Sequence, residues 1–227
     1  MKKFFLLFFV CLAHLVNAQQ NSRYDTIRYA RDYYQHRMNL FKQEPIEKGG
    51  IIFLGNSIAQ FGNWKKLLGD SSAITRGIGG DNTFGVLERL DDVVARQPRK
   101  LFLEVGINDI SQDIPVNIVA DNIITIVKQI KEKSPSTEVY VISILPTNDR
   151  VKNEYPAAHK KNHQVTSLNA LVKPKSRAVG FTYIDLNKIF SDANGKLNEQ
   201  YAEPDGLHLN ERGYREWVAH LKKNRHL

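Results

Sequence analysis

The chain has 227 residues and a formal charge of +8, with 42% hydrophobic residues and no internal repeat or low-complexity tract, so it can bury one substantial core. Its basic residues are scattered, and only Lys222-Lys223-Asn224-Arg225 forms a cluster, which favours a solvated basic surface over a nucleic-acid-binding one. The single cysteine is Cys11, which excludes an internal disulfide and, if the leader described next is removed, also excludes cysteine catalysis and thiolate metal sites.

Met1-Lys2-Lys3, an apolar run over residues 4–16 and small residues up to Ala18 read as a secretory signal peptide cut after Ala18. The run is shorter than the roughly 20 apolar residues of a membrane span. No later segment reaches that length, so a secreted or periplasmic chain without stable membrane insertion is expected. The expected organisation is a signal peptide at 1–18, an N-terminal segment at 19–48 carrying an amphipathic helix, and one domain at 49–227. The helix is expected over residues 22–44, where Ile27, Tyr34, Met38 and Phe41 recur among charged residues and suit packing across the outside of the domain.

Beyond Pro45 and Gly49-Gly50, short apolar runs at 51–54, 72–76, 101–105, 139–145 and 181–186 predict five strands. Helical spacing predicts helices over 58–68, through Val86 to Val94, over 116–133, through 165–172 up to Pro174, and over 210–222. Strands this apolar, alternating with helices, predict an α/β domain with a five-stranded parallel sheet covered on both faces. The longest irregular stretch, 146–160, leaves the fourth strand and is the expected substrate-facing loop.

Gly55-Asn56-Ser57 follows the first strand directly. The carboxyl edge of an open parallel sheet is where ligands bind, so a hydroxyl lifted off that edge is a candidate nucleophile, although Gly, Asn and Ser also suit an ordinary turn. Near the C-terminus stands Asp205-Gly206-Leu207-His208. Two intervening residues let the carboxylate reach one ring nitrogen of His208 while the other faces outward, the geometry a Ser-His-Asp hydrolase requires. Two more strand ends offer hydrogen-bond donors for an oxyanion: Gly77-Ile78-Gly79-Gly80-Asp81, where the Gly80 N–H can approach closely, and Gly106-Ile107-Asn108-Asp109, where the Asn108 amide can donate. The N–H of Ser57 would be the third donor. The glycine loop could also cradle a phosphate or form a simple turn, but neither a dinucleotide fingerprint nor a P-loop lysine is met there.

These four blocks, in this order, resemble those of the SGNH hydrolases, also called GDSL esterases and lipases, over residues 51–217. The loop and spacing look most like the branch holding the platelet-activating-factor acetylhydrolase catalytic subunits and bacterial acetylesterases. The resemblance implies a three-layer flavodoxin-like fold with strand order 2-1-3-4-5, and two-step ester hydrolysis that needs no metal and no cofactor. It implies catalytic roles for Ser57, Asp205 and His208, with Ser57, Gly80 and Asn108 as oxyanion donors. Asn56 departs from the family motif, which has Asp there.

A small acylated substrate is expected, an acetylated glycan fitting the polar 146–160 loop and the absence of a long apolar lid. A phospholipid or lysophospholipid acylhydrolase, or an inactive glycan-binding protein, are the alternatives. Trp64 is read either as a wall of the acyl pocket or as a core aromatic. Arg150, Asn153 and Tyr155 are read either as contacts to the alcohol part or as ordinary loop residues. His159 and His163, four apart, are expected on a solvated helix face, and His36 and His220 on the surfaces of helices.

Overall fold

The computed structural model describes residues 31–150 and 154–227. In chain order its elements are α1 (Arg31–Gln43), β1 (Ile51–Gly55), α2 (Ser57–Phe61), α3 (Trp64–Leu68), β2 (Ala73–Gly77), α4 (Thr83–Glu88), α5 (Leu90–Ala95), β3 (Lys100–Glu104), α6 (Ile107–Ser111), α7 (Val116–Lys133), β4 (Glu138–Ile142), α8 (Asn162–Val172), α9 (Ser176–Val179), β5 (Thr182–Ile184), α10 (Leu186–Phe190) and α11 (Glu211–Lys223). Short 3-10 turns occupy Lys173–Lys175 and Glu199–Tyr201.

All strand pairs are parallel and the sheet order is β2-β1-β3-β4-β5. From β1 the chain moves outward to β2, then returns past β1 to β3. Crossovers that run in opposite directions from β1 place helices on both faces, giving the predicted three layers. The core strands are buried at nearly every position, which explains their continuous apolar runs. Among the described residues, no helix is long and apolar enough to cross a membrane. The expected signal peptide and the first part of the expected helix at 22–44 lie outside the described residues.

Two predicted helices are broken, each by a side chain that is drawn inward. The predicted 58–68 helix stops at Gly62, and Asn63 caps a new helix by accepting from the Lys66 N–H. The break turns Trp64 into the core, where its indole stacks on Phe53 with ring centroids 3.5 Å apart and its N–H donates to the Ala59 carbonyl at 2.7 Å. Trp64 is therefore a core aromatic rather than a wall of the acyl pocket.

The second break falls at Arg89, between α4 and α5. Its guanidinium donates to Asp81 Oδ2 at 2.8 Å, to the Arg76 carbonyl at 2.7 Å and to the Gly55 carbonyl at 2.9 Å. Both charged partners are buried. One side chain thus joins the last carbonyl of β1, the end of β2 and the loop that follows β2.

Helix α1 buries Tyr34 and Phe41 against Ile78, and Tyr34 donates its hydroxyl to the Gly85 carbonyl at 3.1 Å. Its far end is held by Arg76, which donates to Glu44 and Asp92, each at 2.7 Å, and lies over the Phe41 ring. The helix therefore sits on the loop after β2, not at an arbitrary place on the surface.

Removing one member of a buried ion pair strands the other charge. Arg89→Ala is expected to lower unfolding free energy by about 3–5 kcal/mol, measured by urea titration, far more than Arg215→Ala in the exposed pair with Glu211.

Candidate active site

β1 ends at Gly55, whose φ of +152° favours glycine, and a Cβ there would lie 1.7 Å from the Glu104 carbonyl oxygen. Asn56 then caps α2, its Oδ1 accepting from the Ile58 N–H at 2.8 Å. This cap places Ser57 in the first turn of a helix at the carboxyl edge of the sheet. Gly77 lets that helix approach closely, since a Cβ there would meet Gln60 N at 2.3 Å. From the opposite end of the chain, the Tyr214 hydroxyl on α11 donates to the Ile58 carbonyl at 2.8 Å, tying the C-terminal helix to the serine helix.

The segment just before α11 brings in the other two groups. Asp205 Oδ1 accepts from the Leu207 and His208 N–H groups at 2.8 and 2.9 Å, a turn built by its own side chain. Its Oδ2 lies 2.6 Å from His208 Nδ1, and His208 Nε2 lies 2.8 Å from Ser57 Oγ. Ser57, His208 and Asp205 are all buried, yet each keeps some exposure. With Nδ1–H donated to the carboxylate, Nε2 of a neutral ring is the acceptor for the serine proton. Burial works against the Asp205 carboxylate. The His208 ring and the two backbone N–H groups together outweigh it and hold the pKa below the ordinary carboxylate value.

The two loops expected to carry oxyanion donors converge on the same edge. Gly80 follows β2 with φ +78°. A Cβ placed on its neighbour Gly79 would stand 3.9 Å from Ser57 Cβ, which puts this loop beside the serine. Asn108, in the first turn of α6, donates one amide hydrogen to the Asp81 carbonyl at 2.7 Å and so faces the glycine loop. The two loops are locked by Asp109, whose carboxyl accepts from the Thr83 N–H and, at 2.5 Å, from the Thr83 hydroxyl.

Several contributors had not been expected. His159 is buried, lies before α8 rather than on it, and its Nε2 stands 3.0 Å from the Asp205 carbonyl oxygen. This corrects its expected place on a solvated helix face, for it buttresses the Asp205 turn, while His163 is exposed. Phe61 is 55% exposed with its ring 5.1 Å from that of His208, and Tyr155, already read from the sequence as a candidate alcohol contact, is 45% exposed at 5.5 Å. An exposed aromatic at the end of the serine helix is the sequence signal for Phe61.

Both rings line a cleft of about 1000 Å³ that opens on His208 and runs along α11 past Tyr214 and Arg215. Arg150 is exposed, does not line the cleft, and lies beside Asn148, whose side chain accepts from its N–H. The expected contact at Asn153 falls outside the described residues.

Glu104, at the end of β3, is fully buried beneath this edge, and neither carboxyl oxygen has a hydrogen-bond partner among the described residues. Burial pushes its pKa up to about 8, opposed only by the nearby Asn56 amide. An acidic residue inside the apolar run 101–105, between Leu103 and Val105, is the sequence signal for it. An uncharged Asn at position 56 suits this neighbour, since Asp would set a second carboxylate beside a buried carboxyl.

The model of the GDSL-like Lipase/Acylhydrolase family matches residues 53–216, and the chain belongs to that family of ester hydrolases. Human platelet-activating factor acetylhydrolase IB subunit alpha1 is 27% identical over 169 residues, 72% of this chain and 70% of that protein. The alpha2 subunit from Rattus norvegicus is 28% identical over 170 residues, with the same coverage.

A structure from Streptococcus pneumonia described as a platelet activating factor superposes with a TM-score of 0.74 at 27% identity, covering 93% of this chain and 98% of that one. An acetyl xylan esterase superposes with a TM-score of 0.64 at 18% identity over 77% of this chain and 98% of its own, which is a likeness of fold.

The sign of the Glu104 effect is fixed by its two states. Its folded pKa is about 8 and its ordinary value 4.5, so the folded chain binds the extra proton between them. That contribution to stability is complete below the ordinary value and is lost as pH rises to about 8. Glu104→Gln does not titrate, so its melting temperature should fall less than that of the wild type between about pH 5 and pH 8. The remaining fall would belong to other buried carboxyls such as Asp109, pushed up by burial to about 7. Calorimetry across that window measures both.

Proposed function

We propose that this protein hydrolyses short acyl esters, in the first place acetyl esters of a carbohydrate alcohol, through an acyl-enzyme on Ser57. The observation that carries the reading is the unbroken chain from Ser57 Oγ to His208 at 2.8 Å and on to Asp205 at 2.6 Å.

In this reading Ser57 attacks the ester carbonyl while His208 Nε2 takes its proton. Asp205 fixes the ring and favours the imidazolium. The carbonyl oxygen becomes an oxyanion received by the Ser57 and Gly80 N–H groups and the Asn108 amide. Collapse expels the alcohol, which receives the proton from His208. Water, activated by the same nitrogen, then releases the acid and restores the serine.

The acetyl preference is supported by the acetylhydrolase relatives and by the acetyl xylan esterase that shares the fold. The carbohydrate alcohol is supported by the cleft beside His208, the side from which the alcohol leaves. Phe61 and Tyr155 offer apolar faces there, and Lys66, Glu154, Glu203 and Arg215 supply polar lining. Export through a signal peptide at residues 1–18 belongs to the same reading and is tested by N-terminal sequencing of secreted protein, which should begin at Gln19. A platelet-activating-factor-like ester is the second reading, favoured by the names of the relatives.

The deciding assay is hydrolysis of p-nitrophenyl acetate, butyrate, octanoate and palmitate by wild type, Ser57→Ala and Asp205→Asn. The expected result is highest kcat/KM on acetate, no turnover by Ser57→Ala, and a kcat loss of about 10⁴-fold in folded Asp205→Asn, where the histidine tautomer is wrong. Serine-independent hydrolysis would refute the nucleophile assignment. A maximum at long chains, rising further on vesicles, would favour a lipid ester over the glycan.

A further inference from the structure

Helix α1 precedes residue 53, where the family match begins, yet it reaches the active-site edge. The Gly79 N–H donates to Gln60 Oε1 at 2.7 Å. The Gln60 amide in turn donates its Nε2 hydrogen to the Tyr33 hydroxyl at 2.5 Å. A point at the Cβ position of Gly79 has three close neighbours: Tyr33 Cε1 at 3.4 Å, Gln60 Oε1 at 3.6 Å and Ser57 Cβ at 3.9 Å. Gln60 itself sits three residues after the nucleophile in α2, with its own N–H given to the Asn56 carbonyl. The relay therefore spans three segments and meets next to the reacting serine.

We infer that Tyr33 and Gln60 are positioning residues for oxyanion stabilisation: the α1 helix, through the Tyr33–Gln60–Gly79 hydrogen-bond chain, sets the position of the glycine loop that carries the Gly80 donor. The inference rests on the Gly80 role proposed above.

The physical need is plain. Residues 78–80 form a short loop with two successive glycines, and such a segment has more backbone freedom than any other to lose. An oxyanion donor acts only when it is already held where the charge will develop, and a misplacement of about 1 Å can cost on the order of 100-fold. The loop is anchored on one side by the Ile78 N–H donated to Gly55 and by Asp81 on Arg89. Between those anchors, the described bond to Gly79 comes from Gln60, and Gln60 would be free to take other rotamers without the Tyr33 hydroxyl. Tyr33 is 42% exposed on α1, while its neighbour Tyr34 is buried and holds that helix to the domain. Tyr33 thus contributes little to the core and is placed to contribute to the site.

The test uses the full chain with Tyr33→Phe, Gln60→Leu and the double variant, with p-nitrophenyl acetate as probe and Ser57→Ala as control. Tyr33→Phe keeps the ring and removes only the hydroxyl. Each single variant should lower kcat about 10-fold with KM within about twofold of wild type and little change in melting temperature. Because both residues act through one chain, the double variant should be no slower than Gln60→Leu alone. Unchanged kcat in Tyr33→Phe, or losses that multiply in the double variant, would overturn the relay.

Amide hydrogen exchange at Gly79 decides the matter independently of turnover. Protection should fall in both single variants and persist in Ser57→Ala, and protection that survives in Tyr33→Phe and Gln60→Leu would also overturn the relay. Absence of any serine-dependent turnover in the wild type would defeat the nucleophile assignment instead, leaving the exchange result to judge the relay.

Discussion

The Arg89–Asp81 pair is the interaction on which the rest of this active-site edge depends. A buried guanidinium is tolerated only when its donors are used, and here they are shared among a carboxylate, the last carbonyl of β1 and the penultimate carbonyl of β2. Strand ends are where ladder bonding stops and carbonyls need partners. One cation satisfies the Gly55 and Arg76 carbonyls together and, through Asp81, fixes where the glycine loop leaves β2. Because Asn108 donates to the Asp81 carbonyl, the third strand end is registered against the same residue. The spacing between the serine turn, the glycine loop and the Asn108 turn is therefore set from beneath, by buried electrostatics.

Above that layer the site is completed from the two ends of the chain. The C-terminal segment supplies Asp205 and His208, held by a side-chain turn, by His159 against the Asp205 carbonyl, and by Tyr214 reaching the serine helix. The N-terminal helix is seated by Tyr34, Phe41 and the Arg76 ion pairs. Exposed aromatic side chains then frame the edge, Phe61 and Tyr155 beside His208 and Tyr33 beside Gly79. The apolar body of the domain is thus ordinary for a parallel sheet, and the large aromatic side chains exposed among the described residues, Tyr33, Phe61 and Tyr155, stand around the serine.

Burial also shapes the charge around the site. Glu104 and Asp109 lie under the active edge with pKa values pushed up by burial, whereas Asp205 is held low by the donors that surround it. The carboxyls that serve this edge are therefore shifted in opposite directions, by burial in one case and by surrounding donors in the other. The Asn56 amide next to Glu104 makes physical sense of the departure from the family motif, since a neutral side chain there adds no further negative charge beside the serine.

Much of this was legible in the residues themselves. Apolar runs of strand length between amphipathic segments demand a covered parallel sheet, because every face of such strands must be removed from water, and all five strands stand within a few residues of where those runs fall. Helix α7 spans the residues its apolar spacing marks out, and the Gly-Asn-Ser and Asp-Gly-Leu-His segments are local turns whose chemistry can be read from neighbours in sequence. Strand order was accessible only through resemblance to the family.

What sequence could not supply is any contact made between distant segments. Trp64 as core or pocket wall, the inward Arg89 that breaks a helix, His159 behind Asp205 and the reach of Tyr33 to the glycine loop all depend on which surfaces meet after the sheet has closed. Periodicity reports which face of an element is apolar, and a turn motif reports local geometry. Neither encodes the partner across the fold. Only tertiary packing decides which buried polar groups find donors, and with them which residues support the chemistry.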